Sequence, residues 1–75
     1  FNPLTTINFS IPNYNRVSMD IYDIHGRLIQ TLVDSYYHPG SHSITWDASK
    51  SVSGVYFIKL RSGGFIQTEK VILAK

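Results

Sequence analysis

The sequence predicts a small all-β fold, a sandwich or open barrel of six or seven short antiparallel strands. Two observations carry this. Apolar and polar residues alternate strictly over several stretches, the period of a half-buried strand. These stretches are separated by Gly, Pro, Asp and Ser turns, and no segment has a convincing long helical pattern.

The first alternation is TTINFSIP, with Ile7, Phe9 and Ile11 on one side and Thr6, Asn8 and Ser10 on the other, stopped by Pro12. After a turn at NYN, RVSMDIYDIHG sends Val17, Met19 and Ile21 inward and Ser18 and Asp20 outward. The alternation fails at Ile21–Tyr22, and DIHG reads as a turn. There the Asp23 carboxylate accepts from nearby backbone N–H groups and Gly26 supplies a permissive dihedral. RLIQTLV is ambiguous, because Leu28, Ile29, Leu32 and Val33 lie at helical spacing. It is short and flanked by turns in a chain otherwise made of strands, so it reads as a strand with an irregularity. DSYYHPGSH is expected to be a connection, sharpest at Pro39–Gly40, a pair suited to a type II turn. HSITWD puts Ile44 and Trp46 on one face. GVYFIKL, a hairpin turn at SGG and a last strand FIQTEKVILAK close the chain.

Size and composition narrow the functional classes. Seventy-five residues make one unit, 1–75, with a thin stability margin. There is no cysteine, so neither a disulfide nor a thiolate metal site is available. The net charge is +2, concentrated late: Lys59, Arg61, Lys70 and Lys75 stand against Glu69, whereas residues 1–58 are slightly acidic. This bias fits a solvated sheet edge on which lysines discourage unwanted pairing, with a weak docking face as the alternative. No signal peptide and no membrane-spanning run is apparent, the longest apolar run being the strand-sized Val71–Ala74. Phe1 in place of an initiator methionine reads as the start of a fragment or released domain.

Candidate chemistry is sparse. His38 and His42 are four apart, a ligand spacing that needs a helix, and Pro39–Gly40 argues against one. Asp23, Asp34 and Asp47 sit where turns are expected and read as turn-capping carboxylates in preference to a catalytic pair. No nucleophile elbow and no glycine-rich phosphate loop is present. Tyr22 and Tyr56 are expected to fill the sheet interface, leaving Tyr36 and Tyr37 as an exposed pair that could stack on a sugar. YFIKLR has the residue types of a nucleic-acid face without the density. No catalytic residue, metal or cofactor is assigned.

Taken in order, FNPLTTINFSIP, VSMDIYDIHGRLIQTLVD, HPGSHSITWDAS and SGVYFIKLRSGGFIQTEKVILAK resemble the type A C-terminal sorting domain of cargo exported by the bacterial type IX secretion system. The motifs are Asn2–Pro3 with Thr5–Thr6, Tyr22–Asp23 with Gly26–Arg27, Pro39–Gly40, Trp46–Asp47, Gly54–Val55–Tyr56 and Lys70. The resemblance implies an immunoglobulin-like β-sandwich of about seven antiparallel strands behind a larger cargo domain. It further implies a non-catalytic address read by outer-membrane translocation and processing proteins, and normally removed by a surface protease that cuts upstream of Phe1. Cargo would pass through the periplasm of a Gram-negative bacterium to the surface or exterior, with no nucleic acid bound and no stable membrane insertion. Gly54, Val55, Tyr56, Gly64, Lys70, Val71 and Leu73 are the residues expected to be recognised, on this resemblance and their late position. A structural immunoglobulin-like spacer or assembly domain is the alternative, and a carbohydrate-binding module a further one.

Overall fold

A computed structural model describes residues 1–75. Six strands form: β1 (Leu4–Ile11), β2 (Asn15–Asp23), β3 (Leu28–Tyr37), β4 (Gly40–Asp47), β5 (Gly54–Ser62) and β6 (Phe65–Leu73). They make two antiparallel sheets, a pair β1-β4 and a four-stranded sheet in the order β3-β2-β5-β6. The sheets face each other across one apolar layer, as a β-sandwich. The strands number six, and no seventh forms.

The inward residues are those the alternation selects. Ile7, Phe9 and Ile11 from β1, and Val17, Met19 and Ile21 from β2, are buried. Tyr56, Ile58 and Leu60 from β5 join them, with Leu73 closing the end of β6. Trp46 is the largest fully buried side chain, and Ile44, two residues earlier on the same face, packs against the cluster. Phe1 and Tyr56 flank the Trp46 ring with centroids at 5.4 Å on each side.

β3 is one continuous ten-residue strand. Its helix-like spacing has a concrete origin in the ladder with β2. The register shifts between Met19 and Asp20, and again between Ile21 and Tyr22. Partners therefore step from Val33 to Thr31 and from Gln30 to Leu28, which leaves Leu32 and Ile29 as extra residues. Two bulges reset the period-two phase and let both Leu32 and Val33 pack against the core. The expected DSYYHPGSH connection is corrected to a much shorter one. Asp34–Tyr37 belong to β3, and β4 starts at Gly40, so only His38 and Pro39 link the sheets.

β2 also differs from expectation. Its pairing with β5 is unbroken from Val17↔Ser62 to Asp23↔Tyr56, so its alternation does not fail at Tyr22. Tyr22 simply points to the outer face and is half-buried, and Tyr56 alone of the two tyrosines fills the interface. The Tyr56 hydroxyl donates to the Val52 carbonyl at 2.6 Å, which ties the loop before β5 to the strand.

Ser62↔Phe65 closes the last hairpin over Gly63–Gly64. Gly63 has φ 59°, the left-handed value that a two-residue hairpin needs at its first central position. A Cβ there would also meet Asn15 Nδ2 at 2.9 Å, whereas one on Gly64 would meet nothing. The conformational demand of this turn therefore falls on Gly63.

Candidate recognition surface

The hairpin β5–β6 has two faces with different character. Tyr56, Val71 and Leu73 point inward: Tyr56 and Leu73 are buried and Val71 packs on the core as a half-buried residue. Val55 and Lys70 point outward, half-buried and exposed respectively. Gly54 and Gly64 lie at opposite ends of the hairpin, Gly54 opposite Leu73 and Gly64 in the tip turn. The seven residues singled out in the sequence thus do not form one surface. The fold brings only Val55 and Lys70 to a common exposed face.

Period-two parity shows what else shares that face. Val55 pairs with Ile72, Phe57 with Lys70, Lys59 with Thr68 and Arg61 with Ile66. Directly opposed side chains in a ladder are close neighbours, so the Lys70 stem lies beside the Phe57 ring. The result is an apolar strip of Val55, Phe57 and Ile72 carrying three cationic groups, Lys59, Arg61 and Lys70. Phe57 and Ile72 were missed in the sequence although their spacing from Val55 and Lys70 already placed them on this side.

Towards β2 the same face becomes charge-balanced. Asp20 is 8% exposed although it points outward. Its carboxylate accepts from the Thr31 hydroxyl at 2.7 Å and lies 3.5 Å from the Arg61 guanidinium. Asp34 is not a turn cap: it sits within β3 and accepts a two-pronged bond from Arg16 at 2.7 and 2.8 Å. That pairing holds the Asp34 carboxyl below its usual range and raises the Arg16 guanidinium.

Asp23 and Asp47 do cap turns. Asp23 accepts from the backbone N–H of Arg27 and of His25, which depress its carboxyl in that order, and it also pairs with the Arg27 side chain. Asp47 accepts from the Ser49 N–H and is likewise lowered. A carboxyl depressed in the fold adds stability above the unfolded carboxyl's pKa and loses it as pH falls through the folded value. Resistance to urea should therefore hold above pH about 5 and fall progressively below about 4. An Asp23→Asn/Asp34→Asn double variant should show a shallower decline in the urea midpoint between pH 5 and pH 2. Identical slopes would contradict the assignment.

The remaining candidates are dispersed. His42 Nε2 lies 2.8 Å from the His38 carbonyl, and its ring packs between Phe9 and Tyr37. No group of three or more His, Asp or Glu side chains is gathered in the structure. Tyr36 and Tyr37 fall on opposite faces of β3. Tyr36 stacks on Tyr14 in solvent, while Tyr37 lies edge-on against Phe9. The exposed Tyr36–Tyr37 pair does not exist.

A family model described as "Secretion system C-terminal sorting domain" matches residues 2–74. The chain belongs to that family. It is a sorting domain, a non-catalytic C-terminal signal for export of a cargo protein by the type IX secretion system. No curated protein and no solved structure matches the chain. As a sorting domain it directs cargo to the cell surface or exterior. On the β5–β6 outer face of this sorting domain, exposed and half-buried apolar groups combine with cationic ones.

Proposed function

We propose that the export machinery reads the outer face of the β5–β6 hairpin, through Val55, Phe57, Lys70 and Ile72. The observation that carries this is their convergence on one exposed face at the end of the domain, flanked by Lys59 and Arg61. An apolar strip with a cationic rim suits a partner surface of apolar centre and acidic margin. Tyr56, Val71, Leu73, Gly54 and Gly64 then act indirectly, by holding the hairpin in shape. The readers are the outer-membrane translocation and processing proteins of the system. Passage runs through the periplasm of a Gram-negative cell, and a surface protease cuts ahead of the domain.

The strand arrangement favours a finer description of the fold as immunoglobulin-like. Lettered in that manner, β1 and β4 stand as B and E, and β3-β2-β5-β6 as C′-C-F-G. The Tyr56–Val52 bond near the start of the F strand supports this, being the tyrosine corner of such sandwiches.

The test is a carrier protein fused ahead of the domain in a host with the secretion system. Lys70→Glu should leave the melting temperature within about 4 °C, because surface changes seldom exceed about 0.5 kcal/mol. The same variant should reduce surface-exposed carrier several-fold and leave it in the periplasm. Wild-type export by Lys70→Glu and by a Phe57→Ser/Ile72→Ser variant of intact fold would sink the proposal.

A further inference from the structure

We propose that the stretch of chain immediately ahead of Phe1 pairs in parallel with the outer edge of β6, as an added strand of the four-stranded sheet. This rests on the family assignment only in that a C-terminal sorting domain follows other chain.

The first rung of that ladder is already present. The Phe1 nitrogen donates to the Ile72 carbonyl at 2.8 Å, and the Ala74 N–H donates to the Phe1 carbonyl at 2.9 Å. A residue that donates to position j−1 and accepts from position j+1 makes a parallel bridge, here Phe1 beside Leu73. Parity then fixes the free groups. Because Ile72 and Ala74 turn their polar groups outward, so do Lys70, Thr68 and Ile66, while the odd positions bond to β5. Outside the strand ladders, β6 makes no backbone bond except the one to Phe1.

The direction of entry is fixed at three points. The Phe1 ring packs on Trp46, the Phe1 N–H and C=O groups bond respectively to Ile72 at the end of β6 and to Ala74 just beyond it, and the Pro3 carbonyl accepts from Ala48. The chain thus passes from the β6 edge across to β1, and backbone continuing backwards in strand conformation runs alongside Val71, Glu69 and Gln67. In that register the second residue before Phe1 donates to the Lys70 carbonyl and accepts from the Ile72 N–H. The residue directly before Phe1 directs its N–H away from β6. An occupant here also covers an edge that would otherwise invite pairing with other chains.

Amide hydrogen exchange tests this, comparing Phe1–Lys75 with the same domain carrying its native upstream residues. The Ile72 and Lys70 amides should slow at least about tenfold in the longer chain, as expected for amides that become hydrogen-bonded. Proline at the second residue before Phe1 should restore fast exchange at Ile72 and Lys70, whereas proline at the first should not. Equal rates with and without the upstream residues would overturn the proposal. So would protection that ignores the position of the proline, or protection that grows with protein concentration, which would mean a strand from a second copy. Export of a fused carrier is a separate readout, so failure here leaves the assignment of the read face standing.

Discussion

Replacing Trp46 by alanine is expected to leave the domain largely unfolded at room temperature. The indole is fully buried at the centre of the sandwich, between Phe1 and Tyr56. Truncating such a ring costs about 3–5 kcal/mol, the sum of lost transfer energy and the cavity left behind. A core in a chain of this size supplies only about 3–5 kcal/mol in total, so the two figures cancel. A Trp46→Phe variant separates packing from polarity. The indole N–H is buried with no protein hydrogen-bond partner, and a donor in that position costs about 1–3 kcal/mol. Phenylalanine keeps part of the ring's contact and removes the donor, so it should remain folded with a much smaller drop in urea midpoint. A folded Trp46→Ala domain with a wild-type midpoint would show that the core lies elsewhere.

Leu73→Ala is expected to abolish export for a reason unlike that of Lys70→Glu. Leu73 is the buried last residue of β6, 1% exposed, opposite Gly54. Its loss costs about 2–5 kcal/mol, because the small core around it cannot close fully. It also loosens the point where Phe1 meets the end of β6. The expected signature is a large fall in thermal midpoint and faster proteolysis within β6, together with carrier retained inside the cell. Lys70→Glu should show retention without either. If Leu73→Ala melted normally yet still blocked export, its side chain would be read directly and the division between presented and supporting residues would be wrong.

The two kinds of residue were not equally legible in the sequence. β1, β2 and the closing hairpin follow from strict alternation and turn residues, and the Asp23 turn follows from one carboxylate beside a glycine. β3 was obscured because two bulges give a strand the spacing of a helix. Asp34 resembled a turn cap because its partner, Arg16, lies eighteen residues away and meets it only through strand pairing. The recognition set mixed faces for a related reason. Nearness to the end of the chain groups residues by position, whereas a hairpin sorts them by parity, so Val55 and Lys70 share a surface while Tyr56 and Val71 join the core. Gly63 was passed over for Gly64 because adjacent glycines are indistinguishable in sequence, and the left-handed dihedral falls on only one of them.

The contact between Phe1 and Ala74 spans nearly the whole domain. A bond between positions so far apart cannot form before both are synthesised, and the four-stranded sheet lacks its β6 edge until Phe65–Leu73 are made. A cargo whose translation is interrupted anywhere before β6 therefore carries neither the β5–β6 outer face nor a closed fold. Closure of this domain therefore requires that the polypeptide ahead of it has already been made.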